Sequence, residues 1–195
     1  MRIFKKQKEK IISILKSGGV GVMATDTIYG LVGSALNPKT VERVYRLRQR
    51  DKNKPLIILI GSLADLAIFG INPSSYHKKI LKKLWPGKVS IIFSCRKEKF
   101  RYLHRGAKTL SFRLPANKEL RNLLIAVGPL VAPSANPQGL KPAANIKKAK
   151  KYFGARVDFY NDSGRLPDQP STLIQIKNNK VIVLRMGAVK IPKNI

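Results

Sequence analysis

Residues 20–30, Val-Gly-Val-Met-Ala-Thr-Asp-Thr-Ile-Tyr-Gly, begin as an unbroken apolar run and turn abruptly into hydroxyls, one carboxylate and a glycine. A run this short, with Gly18-Gly19 before it and a polar turn after it, reads as a strand buried on both faces. The polar residues then fall at the strand's C-terminal end, where open α/β sheets place ligands. Thr25 and Thr27 can exchange hydrogen bonds with a small polar ligand. They can equally bond the backbone of their own turn, and the pattern alone favours that.

The elements around this strand follow from spacing and caps. Residues 4–17 read as an amphipathic helix with Ile11, Ile14 and Leu15 on one face, ended by Gly18-Gly19. Asn37-Pro38 supplies a cap and a first-turn proline for a helix running to about Arg48. Residues 55–60 are β-branched and strand-like. Ser62 and Asp65 form a capping-box start for a helix to about Phe69. A helix from Ser74 to Leu84 stops at Pro86-Gly87, and strands follow at 88–95 and 108–113. Asn117 caps a helix over 117–126 that Gly128 terminates. Pro129 to Ala132 is a short strand, Asn145 to Phe153 a lysine-rich helix and Val157 to Tyr160 a strand. A hairpin over 171–176 and 181–185 turns at Asn178-Asn179. Interleaved helices and hairpins together predict an α/β fold: a twisted, open, mixed sheet with flanking helices.

The 195 residues, 44% of them apolar, suit one domain over 1–195 with a sizeable core. Lys and Arg number 39 against 10 acids, a net charge of +29 that draws polyanions at long range. The lysines are spread along the chain, so a merely basic composition accounts for them as well as RNA affinity does. Cys95, a single cysteine in an apolar run, can form no internal disulfide and reads as a buried, inert thiol. A reducing, cytoplasmic location fits, and no run is long enough to span a bilayer.

Several chemistries lack their residues. There is no Walker loop, Gly-x-Gly-x-x-Gly or Gly-x-Ser-x-Gly, and no paired carboxylates. His77 and His104 stand apart in basic contexts, and no metal-ligand spacing occurs. What remains is chemistry done by positioning and positive charge, as in nucleotidyl or phosphoryl transfer. Arg48-Gln49-Arg50, with Lys52 and Lys54, ends a helix. It reads as a solvated basic stretch or as a phosphate clamp, and by pattern the first is favoured. Thr109, Ser111 and Arg113 share one strand face, opposite Leu110, Phe112 and Leu114. That face is either solvent-exposed or a bidentate carboxylate site. Ser134-Ala135-Asn136 follows a strand directly and can orient an amide, ribose or phosphate, or form a cap or Asx turn.

In order along the chain, Thr25-Asp26-Thr27-x-Tyr29-Gly30, Arg48-x-Arg50 with Pro55-Leu56, Thr109 to Arg113 with Pro115, Pro133-Ser134-Ala135-Asn136 with Gly139, Ser171-Thr172, and Arg185 with Gly187 resemble the YrdC-type threonylcarbamoyl-AMP synthases in their short form. The resemblance implies a YrdC-like fold with a basic concave face. It implies that L-threonine, bicarbonate or CO2, and ATP give threonylcarbamoyl-AMP and pyrophosphate. Partner proteins then transfer the threonylcarbamoyl group to tRNA. By the same resemblance, Thr25, Arg113, Ser134 and Ser171 would bind threonine. Arg48 and Arg50 would act at the phosphates and carbamate, with Lys52, Thr109, Asn136 and Arg185 on ATP, and Mg2+ would arrive with ATP. The chain departs from the family pattern at Ala24 (usually proline), Arg48 (usually lysine), Asp51 (commonly proline), Gln138 (usually serine) and Ala144 (usually threonine). An RNA-binding module on this fold, or a carbamoyl-transfer relative with another acceptor, are the alternatives.

Overall fold

Among the residues that the computed structural model describes (5–51, 54–167, 169–192 and 195, with backbone only for 5 and 6), nine strands form one sheet. In chain order they are β1 (Val20–Ala24), β2 (Tyr29–Ser34), β3 (Ile57–Leu59), β4 (Val89–Ser94), β5 (Thr109–Arg113), β6 (Leu130–Val131), β7 (Phe159–Asn161), β8 (Thr172–Lys177) and β9 (Lys180–Arg185). Their spatial order is β7-β1-β2-β6-β3-β5-β4-β8-β9. Three parallel pairs (β1 with β7, β3 with β5, β4 with β8) are interspersed among five antiparallel ones, so the sheet is mixed, as the interleaving predicts. The helices are α1 (Lys5–Lys16), α2 (Pro38–Arg48), α3 (Ser75–Leu84), α4 (Arg101–His104), α5 (Lys118–Val127) and α6 (Ile146–Phe153).

The predicted caps are in place. Asn37 accepts from the amides of Lys39 and Thr40, Asn117 from Leu120 and Asn145 from Lys148. Ser62 and Asp65 form their capping box, though the segment they open, Leu63–Phe69, is 3-10 rather than α. The strand expected over 55–60 is confined to Ile57–Leu59. Strand β2 and the short α4 have no counterpart in the sequence reading. Buried on both faces, β2 shows no alternation, and Gly30 and Gly33 look like breakers. They are close-approach positions instead: a Cβ on Gly33 would sit 2.5 Å from Thr40 Cγ2, so α2 packs through it onto the sheet.

Two apolar layers sandwich half of the sheet. Ile11 and Leu15 of α1 and Leu120, Leu123 and Leu124 of α5 pack on Met23, Val32, Leu59 and Leu130. On the opposite face Val41, Val44 and Tyr45 of α2 and Ile80 and Leu81 of α3 pack on Val22, Leu31, Ile58, Ile91 and Phe112. Phe112 stacks edge-on against Phe69 at 4.9 Å. Helices α1 and α5 cover the first face only over β1, β2, β6 and β3. Beyond β3 that face carries Ser111, Ile92 and Leu173, and these line a cavity rather than a helix interface.

Candidate active site

Two cavities lie on the uncovered part of the sheet, of about 260 and about 250 Å³. Ile57, Ser134 and Arg185 line both, so the cavities abut. Neither reaches the roughly 300 Å³ at which ligand clefts usually begin, but together they do. The arrangement suits two ligands side by side.

The first cavity is walled by Arg48, Arg50, Thr109, Ser111 and Arg185 over an apolar floor of Ile57, Ile92 and Leu173. Arg48 projects from the last turn of α2, which Gln49 ends in the left-handed region at φ 50°. The Arg48 side chain is only 4% exposed. It donates from Nε to Asn136 O at 3.0 Å and from Nη2 to Ser134 Oγ at 3.1 Å. All its acceptors are neutral. Burial, then the neighbouring Arg50, push its pKa down to about 10. Arg50 donates to the carbonyls of Lys54 and Pro55 and is likewise lowered by burial. Arg185, held by Ser171 O at 2.8 Å, is lowered by burial and by Arg50. Among the described residues no ion pair joins any of these three arginines to a carboxylate. The solvated basic stretch favoured by pattern holds for exposed Gln49 and Lys54 but not for Arg48 and Arg50, which line one hollow with Arg185.

The second cavity is built from strand ends. Leu31 donates to Pro133 O and Ala135 to Tyr29 O, which seats Ser134 opposite Gly30. A Cβ on Gly30 would come within 3.2 Å of Thr25 Cγ2, so glycine lets Thr25 pack there. Thr25 Oγ1 donates to Ile28 O at 2.7 Å and accepts from the Thr27 amide, the turn-closing bonds that the sequence pattern favours. It also receives Arg113 Nη2 at 3.3 Å, so the hydroxyl serves the cavity as well as the turn. Arg113 is buried and pairs with Asp26 at 3.0 Å, both side chains 4% exposed. Burial lowers its pKa and Asp26 raises it. Its Nε has no partner. The solvent-facing alternative for the Thr109, Ser111 and Arg113 face is thus excluded for Ser111 and Arg113. Ser171 shares a hydrogen bond of 2.8 Å with buried Ser90. The chain returns tightly from β9: a Cβ on Gly187 would lie 2.2 Å from Pro170 O, which brings Arg185 beside Ser171.

Of the residues singled out by sequence, Thr25, Arg48, Arg50, Thr109, Arg113, Ser134, Ser171 and Arg185 line one cavity or both. Asn136 does not. Its amide nitrogen donates to Pro137 O and Leu140 O and its Oδ1 faces Arg48, so it braces the wall. Lys52 lies outside the described residues. Asp26 and Ser90 were missed as partners of site residues. Asp26 was readable as the single acid inside the first motif, whereas Ser90 sits in an apolar strand with no signal. His77 is half-buried and His104 buried, both away from the cavities, and Cys95 is buried with its thiol pKa raised by burial. Among the described residues no group of three or more His, Cys, Asp or Glu could hold a metal ion, and no helix is long and apolar enough to cross a membrane. The cavity walls offer hydroxyls and cations, which do not fit a resident metal.

Comparison with known proteins identifies relatives of the whole chain. The Sua5/YciO/YrdC family model, described as Telomere recombination, matches residues 13–187. A Methanocaldococcus jannaschii protein, provisionally named threonylcarbamoyl-AMP synthase, is 31% identical over 96% of this chain and 91% of its own. Pyrococcus abyssi Sua5 complexed with L-threonine superposes with a TM-score of 0.88 at 25% identity, covering 96% of this chain. This chain spans 56% of that one. Escherichia coli YciO shares the fold, with a TM-score of 0.86 over 97% of this chain. The curated relatives include proteins named threonylcarbamoyl-AMP synthase from Pyrococcus abyssi and Thiobacillus denitrificans. With the family model matching residues 13–187, nearly the whole chain, the chain belongs to the Sua5/YciO/YrdC family.

Proposed function

We propose that the protein is a threonylcarbamoyl-AMP synthase. The amine of L-threonine adds to CO2, or to bicarbonate with loss of water, to give a carbamate. A carbamate oxygen attacks the α-phosphorus of ATP, the bond to the bridging oxygen of the β-phosphate breaks, and pyrophosphate leaves. The observation that carries this reading is the pair of abutting cavities with different chemistry. One presents three guanidinium groups without a carboxylate, suited to a triphosphate. The other presents Thr25, Arg113, Ser134 and Ser171 at the size of an amino acid.

In this reading Arg48, Arg50 and Arg185 hold the phosphates and stabilise the charge developing on the leaving pyrophosphate. Thr109 sits beside the nucleotide and Ile92 and Leu173 underlie its base. Arg113 takes the threonine carboxylate. Asn136 acts through Arg48 rather than on ATP. The chemistry rests on holding two reactants in line, and Mg2+ comes with ATP as part of the substrate. The product then serves tRNA modification through partner proteins. The test is threonine-dependent pyrophosphate release with ATP and bicarbonate. Release that needs all three substrates is expected, and none would overturn the reading.

A second reading, RNA binding, is favoured by one feature. Helix α6 buries Ile146, Ala149 and Phe153 and turns Lys147, Lys150 and Lys151 outward, on a chain of net charge +29. Retention of tRNA that falls steeply with salt supports it, and flat salt dependence contradicts it.

A further inference from the structure

We propose that Gln138 is a positioning residue that clamps the arginine segment against the cavity, a role that rests on the function proposed above. Residues 48–51 and 136–138 are far apart in sequence, yet four hydrogen bonds tie them, one of them from Arg48 Nη2 to Asn136 Oδ1 at 3.4 Å. Arg48 Nε donates to Asn136 O at 3.0 Å, the Gln138 amide donates to Arg48 O at 2.7 Å, and the Asp51 amide donates to Gln138 Oε1 at 3.0 Å. The last two anchors bracket Arg50. The Arg50 side chain folds back onto the carbonyls of Lys54 and Pro55, so its direction is set by where this stretch of backbone lies.

Arg48, Arg50 and Arg185 line one cavity, and the charge of Arg50 lowers the pKa of the other two, as like charges held close do; Asp51 offsets part of this at Arg50. Repulsion favours splaying the loop outward, and the bond from Asp51 to Gln138 resists it. Gln138 itself is exposed and adds nothing to the apolar core. The clamp also explains two of the departures noted in the sequence. Proline at 51 has no N–H to donate, and a serine at 138 is too short to reach it. Each substitution is useful only with the other.

The test uses the full chain and two readouts. Hydrogen exchange of the Asp51 amide, without substrates, accelerates in Gln138→Met and stays near wild type in Gln138→Glu, which keeps the acceptor. Loss of one such bond corresponds to about a fivefold rise in KM for ATP in Gln138→Met, with KM for threonine changing less than about twofold. Gln138→Met adds nothing further in an Asp51→Pro background, which already lacks the donor. Unchanged exchange in Gln138→Met, equal losses in Met and Glu variants, or faster exchange with unchanged KM for ATP would each overturn the proposal. A wild-type protein without threonine-dependent pyrophosphate release would overturn the functional reading instead, and the exchange measurement would still decide whether the clamp exists.

Discussion

Arg113 and Arg48, one in each cavity, solve the problem of buried positive charge in opposite ways, with Arg185 lying between the two cavities. In the Arg113 cavity the guanidinium carries its own carboxylate, Asp26, with both side chains almost fully buried. In the Arg48 cavity a guanidinium of equal burial is met by a carbonyl, a hydroxyl and an amide oxygen, and two further arginines crowd in. Desolvating an unpaired charge is unfavourable, and the fold tolerates it only because neutral acceptors satisfy the N–H groups. On the function proposed above, the difference matches the two ligands. A paired arginine is a preorganised, modestly charged wall, fit to orient a small zwitterion. A set that forms no ion pair within the cavity gives, on the function proposed above, a field suited to a triphosphate.

That contrast can be broken at several points. Asp26→Ala strands Arg113 as a buried, uncompensated cation, and a loss of about 3–5 kcal/mol is expected in chemical unfolding. Adding Arg113→Met should recover most of it, and no recovery would mean that Asp26 supports the fold by another route. Arg50→Ala acts on the unpaired side. Turnover should fall at least about a hundredfold, while RNA retention stays nearly intact. Equal loss of both would count against a dedicated phosphate role. Arg48→Met sharpens the contrast most cleanly. Removing an unpaired buried charge should leave stability unchanged or raise it by about 1 kcal/mol, while ATP binding weakens. A large destabilisation would show that Arg48 is held for structure.

The smallest effect belongs to a control far from both cavities. Asp158 accepts from Arg43 and from the Val20 amide, and the Arg43 hydrogen bond holds its pKa below the ordinary value. A depressed carboxylate pKa stabilises the fold above the unfolded value, and that stabilisation disappears as pH falls through the folded one. Arg43→Ala should therefore destabilise by less than about 1 kcal/mol at neutral pH, because the pair is partly exposed. The difference should vanish in acid, and a difference that grows on acidification would contradict the assignment.

Much of the fold was legible because it is written in local chemistry. Asn37, Asn117 and Asn145 announce their helices, and the alternation of Thr109 to Leu114 puts Leu110, Phe112 and Leu114 in the core. Strand β2 was hidden because double-sided burial erases its period and its glycines serve packing. For the site, residue types pointed to phosphate and carboxylate recognition, but local pattern could not decide between solvated and functional arginines. That decision depends on burial contributed by Ser134 and Asn136, some 86–88 residues from Arg48. Asn136 shows the converse: its motif marked it out, and only the structure shows that its oxygens accept from Arg48 rather than facing a cavity.

The most direct measurement is a crystal structure with L-threonine and a non-hydrolysable ATP analogue bound together. The threonine carboxylate should lie against Arg113 in the Asp26 cavity, with the phosphates against Arg48, Arg50 and Arg185 next door and both ligands meeting at Ser134. Phosphates lodged beside the Arg113–Asp26 pair, or two ligands that exclude one another, would contradict the division of labour between paired and unpaired charge.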